Sequence, residues 1–333
     1  MNNIDREKIY LITGAAGFIG HNLSTRLLEA GCTVVGIDNL NDYYDVSLKE
    51  TRLNMLAAFD KFTFMKVDIS NKEELTKVFE KYRPEIVVNL AAQAGVRYSI
   101  ENPDAYVQSN LVGFCNLLEC ARHFKVEHLV YASSSSVYGG NEKVPFSTDD
   151  KVDEPVSLYA ATKKSNELLA YSYSKLYKIP ATGLRFFTVY GPYGRPDMAL
   201  FGFTKNILEG KPIQIFNNGD MYRDFTYIDD IVTGVFNILS NPPKEDKKGA
   251  IHKVYNIGNN KPEKLMDFVT IIEECLGIEA IKEFKPMQQG DVYQTYADVT
   301  ELMNDFDFKP NTPLKEGVAR FVEWYKEYIK ILR

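Results

Sequence analysis

Short apolar runs alternate with helical spacing through the first half of the chain. The runs KIYLIT, TVVGID, FTFMKVD, EIVVNLA and HLVYAS are continuous rather than alternating. That is the pattern of strands buried on both faces of a parallel sheet. Between them, residues 17–30, 46–59, 72–82 and 105–124 carry helical periodicity. Strand–helix repetition of this kind predicts an α/β fold with a doubly wound parallel sheet of Rossmann type.

A long helix is expected over 157–177, opened by Pro155 and a serine cap and ended before Pro180. ATGLRFFTVYG then reads as a strand running into a glycine-proline turn. Beyond Gly191 the pattern loosens, and GPYGRPDM, KPIQIFNNGD and NPPKEDKKG read as turns and surface loops. The expected organisation is a Rossmann domain over 1–190, to which 225–260 returns, with 225–239 rejoining the main sheet. Residues 191–224 and 261–333 then form a smaller α/β substrate-binding domain.

Composition narrows the class. A chain of 333 residues can hold one large α/β domain or two unequal ones. The formal net charge of -6 leaves no basic footprint, so no nucleic-acid partner is expected. Charged residues at the N-terminus lead at once into a strand, which predicts no signal peptide, and no apolar run approaches a membrane span. A cytoplasmic protein without a membrane partner is expected. The cysteines Cys32, Cys115, Cys120 and Cys275 lack metal-like or redox-pair spacing and read as buried thiols. The histidines are scattered too, and no metal is expected.

Gly14, Gly17 and Gly20 follow the first strand and open the first helix. Glycines there allow a tight turn, close approach of a pyrophosphate to the backbone, and close helix–sheet packing. The spacing is GxxGxxG rather than GxGxxG, so a purely structural turn stands beside the dinucleotide reading. Asp38 favours the latter. It ends the second strand where an acid meets the adenosine ribose, and a carboxylate there repels a 2′-phosphate, which selects NAD over NADP. Asp68, ending the third strand, either reaches the adenine edge or serves as a helix cap or turn.

Tyr159 and Lys163 stand at i and i+4 on one helix face. Tyr171 and Lys175 repeat the spacing, but about 18 Å further along the helix, away from the strand ends where cofactors sit. A tyrosine base working near neutral pH must make up roughly 4 kcal/mol. One cation at about 4 Å supplies an interaction of that size at an effective dielectric near 20. Lys163 is the candidate cation, and the oxidised nicotinamide adds a second.

Taken together, TGAAGFIG, Asp38, SSSSVYG and YAATK resemble the extended short-chain dehydrogenase/reductase family of nucleotide-sugar enzymes. DNLNDYYDVSLK, NLAAQAGVRYSI, SLYAATKKSNE, TVYGPYGRPDMALF and RDFTYIDDI narrow the resemblance to UDP-glucuronate 4-epimerases, and it covers nearly the whole chain. It implies a tightly held NAD, regenerated each cycle. The implied NAD contacts are Gly14, Gly17, Phe18, Ile19, Gly20, Asp38, Asn39, Asp68, Ile69, Leu90, Ala91, Ala92, Asn110, Tyr159, Lys163 and Phe186. It implies a homodimer built on helices around 102–124 and 157–178.

By the same resemblance Ser134, four residues before the tyrosine of the VYG turn, bonds the sugar 4-oxygen beside Tyr159. Ser135 and Ser136 fall where related dehydratases carry Asp-Glu and decarboxylases a Glu. Hydroxyls donate hydrogen bonds but do not readily exchange protons at neutral pH. Oxidising glucuronate at C4 gives a β-keto acid, whose C6 carboxylate leaves as CO₂ once it aligns with the carbonyl. Neutral donors can hold that carboxylate in the sugar plane, so Ser135, Ser136, Thr188 and Arg195 are the candidates, with Arg195 adding charge-assisted bonds. The alternative is a serine-rich strand end satisfying its own backbone.

At the nucleotide end, Arg223 matches the diphosphate-binding arginine and Asp291 the acid at the uridine ribose. Gln288 stands near a position where related hexose epimerases often have arginine. Arg97 is placed near the substrate, with a solvated loop arginine as the other reading, and Phe216 lies against the uracil or belongs to the core. The expected function is 4-epimerisation of UDP-glucuronate through a 4-keto intermediate. The rivals are epimerisation of neutral UDP-hexoses, decarboxylation to a UDP-pentose, and an NAD-binding regulator without catalysis.

Overall fold

Twelve strands can be assigned in the computed structural model, which describes residues 4–288 and 290–331. They are β1 Ile9–Thr13, β2 Thr33–Asp38, β3 Phe62–Lys66, β4 Ile86–Asn89, β5 His128–Ser134, β6 Ala181–Phe186, β7 Thr188–Tyr190, β8 Ile213–Ile215, β9 Tyr222–Tyr227, β10 His252–Ile257, β11 Pro262–Lys264 and β12 Lys282–Phe284. Seven of them form one sheet in the order β3-β2-β1-β4-β5-β6-β10, every pair parallel. Strand order reverses between β1 and β4, and that switch point opens a crevice at the carboxyl ends of the strands.

The continuous apolar runs explain this arrangement. Leu11, Val35, Ile37, Val87 and Leu129 project to one face, against helices Lys72–Tyr82 and Gly113–His123. Tyr10, Ile12, Val34, Val88 and Val130 project to the other, into a core that continues through Phe225, Phe268 and Phe321. β3, at the sheet edge, is the exception, with no fully buried position. Helix Leu158–Tyr177 starts at Ser157, whose hydroxyl accepts from the Ala160 amide at 3.1 Å.

Two expectations are corrected. Residues 105–124 are not one regular helix: a π-helical stretch, Val107–Val112, precedes Gly113–His123. Within 225–239, residues 225–227 end β9, which pairs with β7 and β11 in a separate three-stranded sheet. The helix that follows, Ile228–Leu239, lies on helix Phe18–Glu29 beside the main sheet, and β10 joins the main sheet next to β6. A two-stranded pair, β8 and β12, completes the assignment. Cys32 and Cys120 are buried, whereas Cys115 and Cys275 are half-exposed, and all four are free thiols.

Candidate active site

The glycine turn is built too tightly for side chains. Gly14 has φ +70°, and a Cβ there would stand 2.8 Å from the Ala91 amide nitrogen. A Cβ on Gly20 would meet the Gly14 carbonyl oxygen at 2.1 Å, while the Gly17 amide donates to that same carbonyl at 2.9 Å. Helix Phe18–Glu29 therefore points its N-terminus at the crevice with nothing projecting between, the cradle a pyrophosphate needs. Asp38 is buried and accepts from the Leu40 amide at 2.8 Å. Lys49 stands 3.6 Å from it, so the carboxylate repels a 2′-phosphate less than an isolated acid would. These residues fit NAD.

Other cofactor candidates have local partners. Asp68 accepts from Asn39 at 2.8 Å and from both the amide and hydroxyl of Ser70, so it holds a turn, as the alternative reading allowed. Asn110 bonds both the amide and the carbonyl of Gln93 and reaches the Thr162 hydroxyl. It fastens the β4 loop to the long helix. Phe18, Ile69 and Phe186 are buried, and Ile19, Leu90 and Ala92 are partly exposed around the crevice. Ala91 donates its amide to the Thr13 hydroxyl at 3.0 Å.

At the end of β5, Ser134 caps the 3₁₀ turn Ser135–Tyr138, its Oγ accepting from the Ser136 amide and bonding the Ser136 hydroxyl, both at 3.1 Å. Half-buried Tyr159 lies beside it. Burial pushes the Tyr159 phenol up, while the Ser134 hydroxyl and the Arg195 charge act the other way. Lys163 lies one turn further along the same helix, with its ammonium turned toward β5. Its ammonium donates to the Ala132 carbonyl of β5 at 2.8 Å and stands 6.0 Å from the Tyr159 ring centroid. Burial lowers its pKa to about 8.

Behind the serine turn runs a buried polar network that sequence reasoning missed. Glu167, one helical turn beyond Lys163, accepts from Ser133 at 2.7 Å and pairs in two-point fashion with Arg185 of β6. Arg185 also donates to Tyr138, which donates in turn to Asn256. Ser133 is thus the serine committed to structure. Ser135, Ser136 and Thr188 line a cleft with Arg223 and Asp291 at its far end.

Thr188 also borders a second, apolar cavity with Arg195, Met198, Phe201 and Phe321. Arg195 pairs with Asp197 through Nε at 3.0 Å and through Nη2, and Tyr43 donates to the same carboxylate at 3.2 Å. Burial works against the Arg195 cation, but Asp197 more than offsets it and holds the guanidinium firmly charged. Asp197 and Tyr43 were not foreseen. From Tyr43, aromatic rings run through Tyr98 and Tyr106 to Tyr159, at 4.8, 6.2 and 6.0 Å between centroids.

The nucleotide end gathers every residue expected there. Arg223 donates to Asp291 at 2.7 Å, and Arg97 approaches the other carboxylate oxygen at 4.0 Å while covering the Phe216 ring at 4.9 Å. Arg97 is mostly exposed, as in the solvated reading, yet it lies over Phe216, which is partly buried against the core. Gln288 has a buried, unpartnered side-chain oxygen. Among the described residues no group of acids, histidines or cysteines could hold a metal, and no helix is long and apolar enough to cross a membrane.

A family model described as the NAD dependent epimerase/dehydratase family matches residues 10–258. CapI of Staphylococcus aureus is 56% identical over 331 residues, covering 96% of this chain and 99% of that protein. A probable UDP-glucuronate 4-epimerase of Rhizobium meliloti is 49% identical over 330 residues, covering 96% of this chain and 97% of that protein. The solved structure of UDP-glucuronic acid 4-epimerase from Bacillus cereus, in complex with UDP-glucuronic acid and NAD, has a TM-score of 0.88 and 36% identity, covering 96% of this chain and 99% of that one. The matched stretch runs from the strand before the glycine turn to the edge strand of the sheet, and the chain belongs to the NAD-dependent epimerase/dehydratase family.

Proposed function

We infer that the chain interconverts UDP-glucuronate and UDP-galacturonate by NAD-dependent epimerisation at C4. The observation that carries the substrate choice is the lining of one cleft by Ser135, Ser136 and Thr188, with Arg195 on the far side of Thr188. Those groups can bind a carboxylate in the sugar plane and include no free acid to assist elimination or loss of CO₂. NAD held at the Gly14–Gly20 turn and Asp38 would supply reversible hydride transfer at C4.

Tyr159 takes the 4-OH proton and gives it back to the 4-keto oxygen, with Ser134 bonding that oxygen and Lys163 holding positive charge nearby. Arg223 and Asp291 bind the diphosphate and the uridine ribose, Arg97 closes over them, and Phe216 meets the uracil. We assign the cofactor to residues 1–190 with 225–260, and the sugar nucleotide to 191–224 with 261–333. Exposed Ile100, Val107, Val112, Leu168 and Leu176 fit a second copy of the chain covering these helices. Four unpaired thiols suit a cytoplasmic setting.

The test is incubation of the purified protein with UDP-glucuronate and no added cofactor, with products resolved by ion exchange and proton NMR. UDP-galacturonate without free NADH is expected. A UDP-pentose with CO₂, or turnover of UDP-glucose alone, would overturn the reading.

A further inference from the structure

We propose that Asp197 is a resident counter-ligand of Arg195, holding the guanidinium until the substrate carboxylate displaces it and reclaiming it while the oxidised sugar turns over. This rests on the epimerase reading above and adds to it a residue that sets both specificity and turnover.

The pair is built for exchange rather than permanence. Asp197 sits two residues after Arg195 in the same turn, closed by the Met198 amide donating to the Arg195 carbonyl at 3.1 Å. Both side chains are only about three-quarters buried, at 24% and 27% exposure, so an incoming carboxylate can reach them. The backbone beneath is pinned. Fully buried Arg52 donates to the Tyr193 carbonyl at 2.7 Å and to the Ala16 carbonyl of the glycine turn at 2.8 Å. Arg195, in contrast, borders the apolar cavity, and among the described residues its side chain hydrogen-bonds only Asp197. Tyr43 keeps Asp197 in place as the guanidinium leaves it. A Cβ on Gly95 would come within 3.1 Å of the Tyr43 hydroxyl, so the residue beside it is one without a side chain.

The chemistry calls for such a device. One sugar must present both faces of C4 in turn, so a carboxylate gripped by an otherwise unpaired arginine would have to break that grip in every cycle. Exchanging one carboxylate for another leaves the arginine paired throughout. A neutral hexose offers no replacement for Asp197 and leaves the pair closed.

The test compares wild type with Asp197→Asn, which keeps size and hydrogen bonding but removes the charge. Calorimetry is expected to show UDP-glucuronate bound about tenfold more tightly and UDP-glucose unchanged, with kcat on UDP-glucuronate about tenfold lower. Asp197→Ser, too short to bridge to the guanidinium, is expected to shift both quantities the same way. Weaker binding of UDP-glucuronate would make Asp197 a mere support for Arg195 and overturn the proposal. Tighter binding with unchanged kcat would reduce it to simple repulsion, and no change in either would remove it. Failure of the wild type to turn over UDP-glucuronate would instead sink the epimerase reading, since the binding comparison stands without turnover.

Discussion

Lys163 donates its ammonium to the carbonyl of Ala132 at 2.8 Å, and so ties the second turn of the long helix to the strand that delivers the serines. Burial lowers this lysine from the ordinary 10.5 to about 8. Between those values the unfolded chain holds a proton that the native chain has lost, so stability rises with pH through that window. Activity that needs the ammonium falls in the same range. The pH profile of kcat/KM is expected to show an alkaline limb near 8, and a profile flat to pH 10 would remove the cation from the mechanism.

Replacing Tyr159 with Phe should cost the proton transfer and little else. A loss in kcat of about 10²–10⁴-fold is expected, the usual contribution of a positioned acid–base group. Equilibrium binding of UDP-glucuronate by calorimetry should stay close to wild type. A variant retaining more than a tenth of the rate would assign the proton to another group.

The Ser135→Ala/Ser136→Ala variant should change what is made as well as how fast. With two in-plane donors gone, the keto acid can rotate its carboxylate into alignment with the carbonyl, and a UDP-pentose should appear beside UDP-galacturonate. Proton NMR and trapped CO₂ measure the split. Slower turnover with no pentose would return both serines to a local structural role.

Glu167→Ala leaves Arg185 buried without its acid and is expected to cost about 3–5 kcal/mol in urea unfolding. Burial opposes the Glu167 charge, but Arg185 and Ser133 override it and hold the carboxyl below the usual range. That contribution is fully present above the ordinary carboxylate pKa and disappears as pH falls through the lowered value. Wild type should therefore lose its advantage over Glu167→Gln in acid, and a constant gap between the two down to pH 2 would contradict this.

Gly20→Ala should empty the cofactor cradle, since its Cβ would fall 2.1 Å from the Gly14 carbonyl oxygen. Backbone must shift to admit it. The variant is expected to purify with little NAD, read from the absorbance of acid-released nucleotide, and wild-type NAD content would show that the turn tolerates the shift.

The main sheet was legible because its strands are buried on both faces, which leaves continuous apolar runs at β1, β2, β4 and β5. β9 was misassigned for the same reason. FTY is apolar enough for any buried strand, and apolarity does not say which sheet receives it. The π-helical stretch at Val107–Val112 leaves no mark in a periodicity of 3.6. Tyr159 and Lys163 were placed on one helix face by spacing alone, but spacing says nothing of which acceptor an ammonium will choose. Asp197 looked like turn filler after a proline, and its role appears only when Tyr43, 154 residues away, closes on it. Glu167 could have been suspected, since it continues the i+4 row from Tyr159 through Lys163.

One residue of chain, Phe187, separates the end of β6 in the large sheet from the start of β7 in the small one, and its amide is tied to the Ile257 carbonyl at 3.2 Å. Phe186, expected at the cofactor, and Thr188, expected at the sugar carboxylate, are therefore set at a fixed gauge, like two marks cut on one ruler. On the opposite side of the cleft Asp291 is shared between Arg97 and Arg223, so the two walls are held by different means, one by continuous chain and one by exchangeable ion pairs.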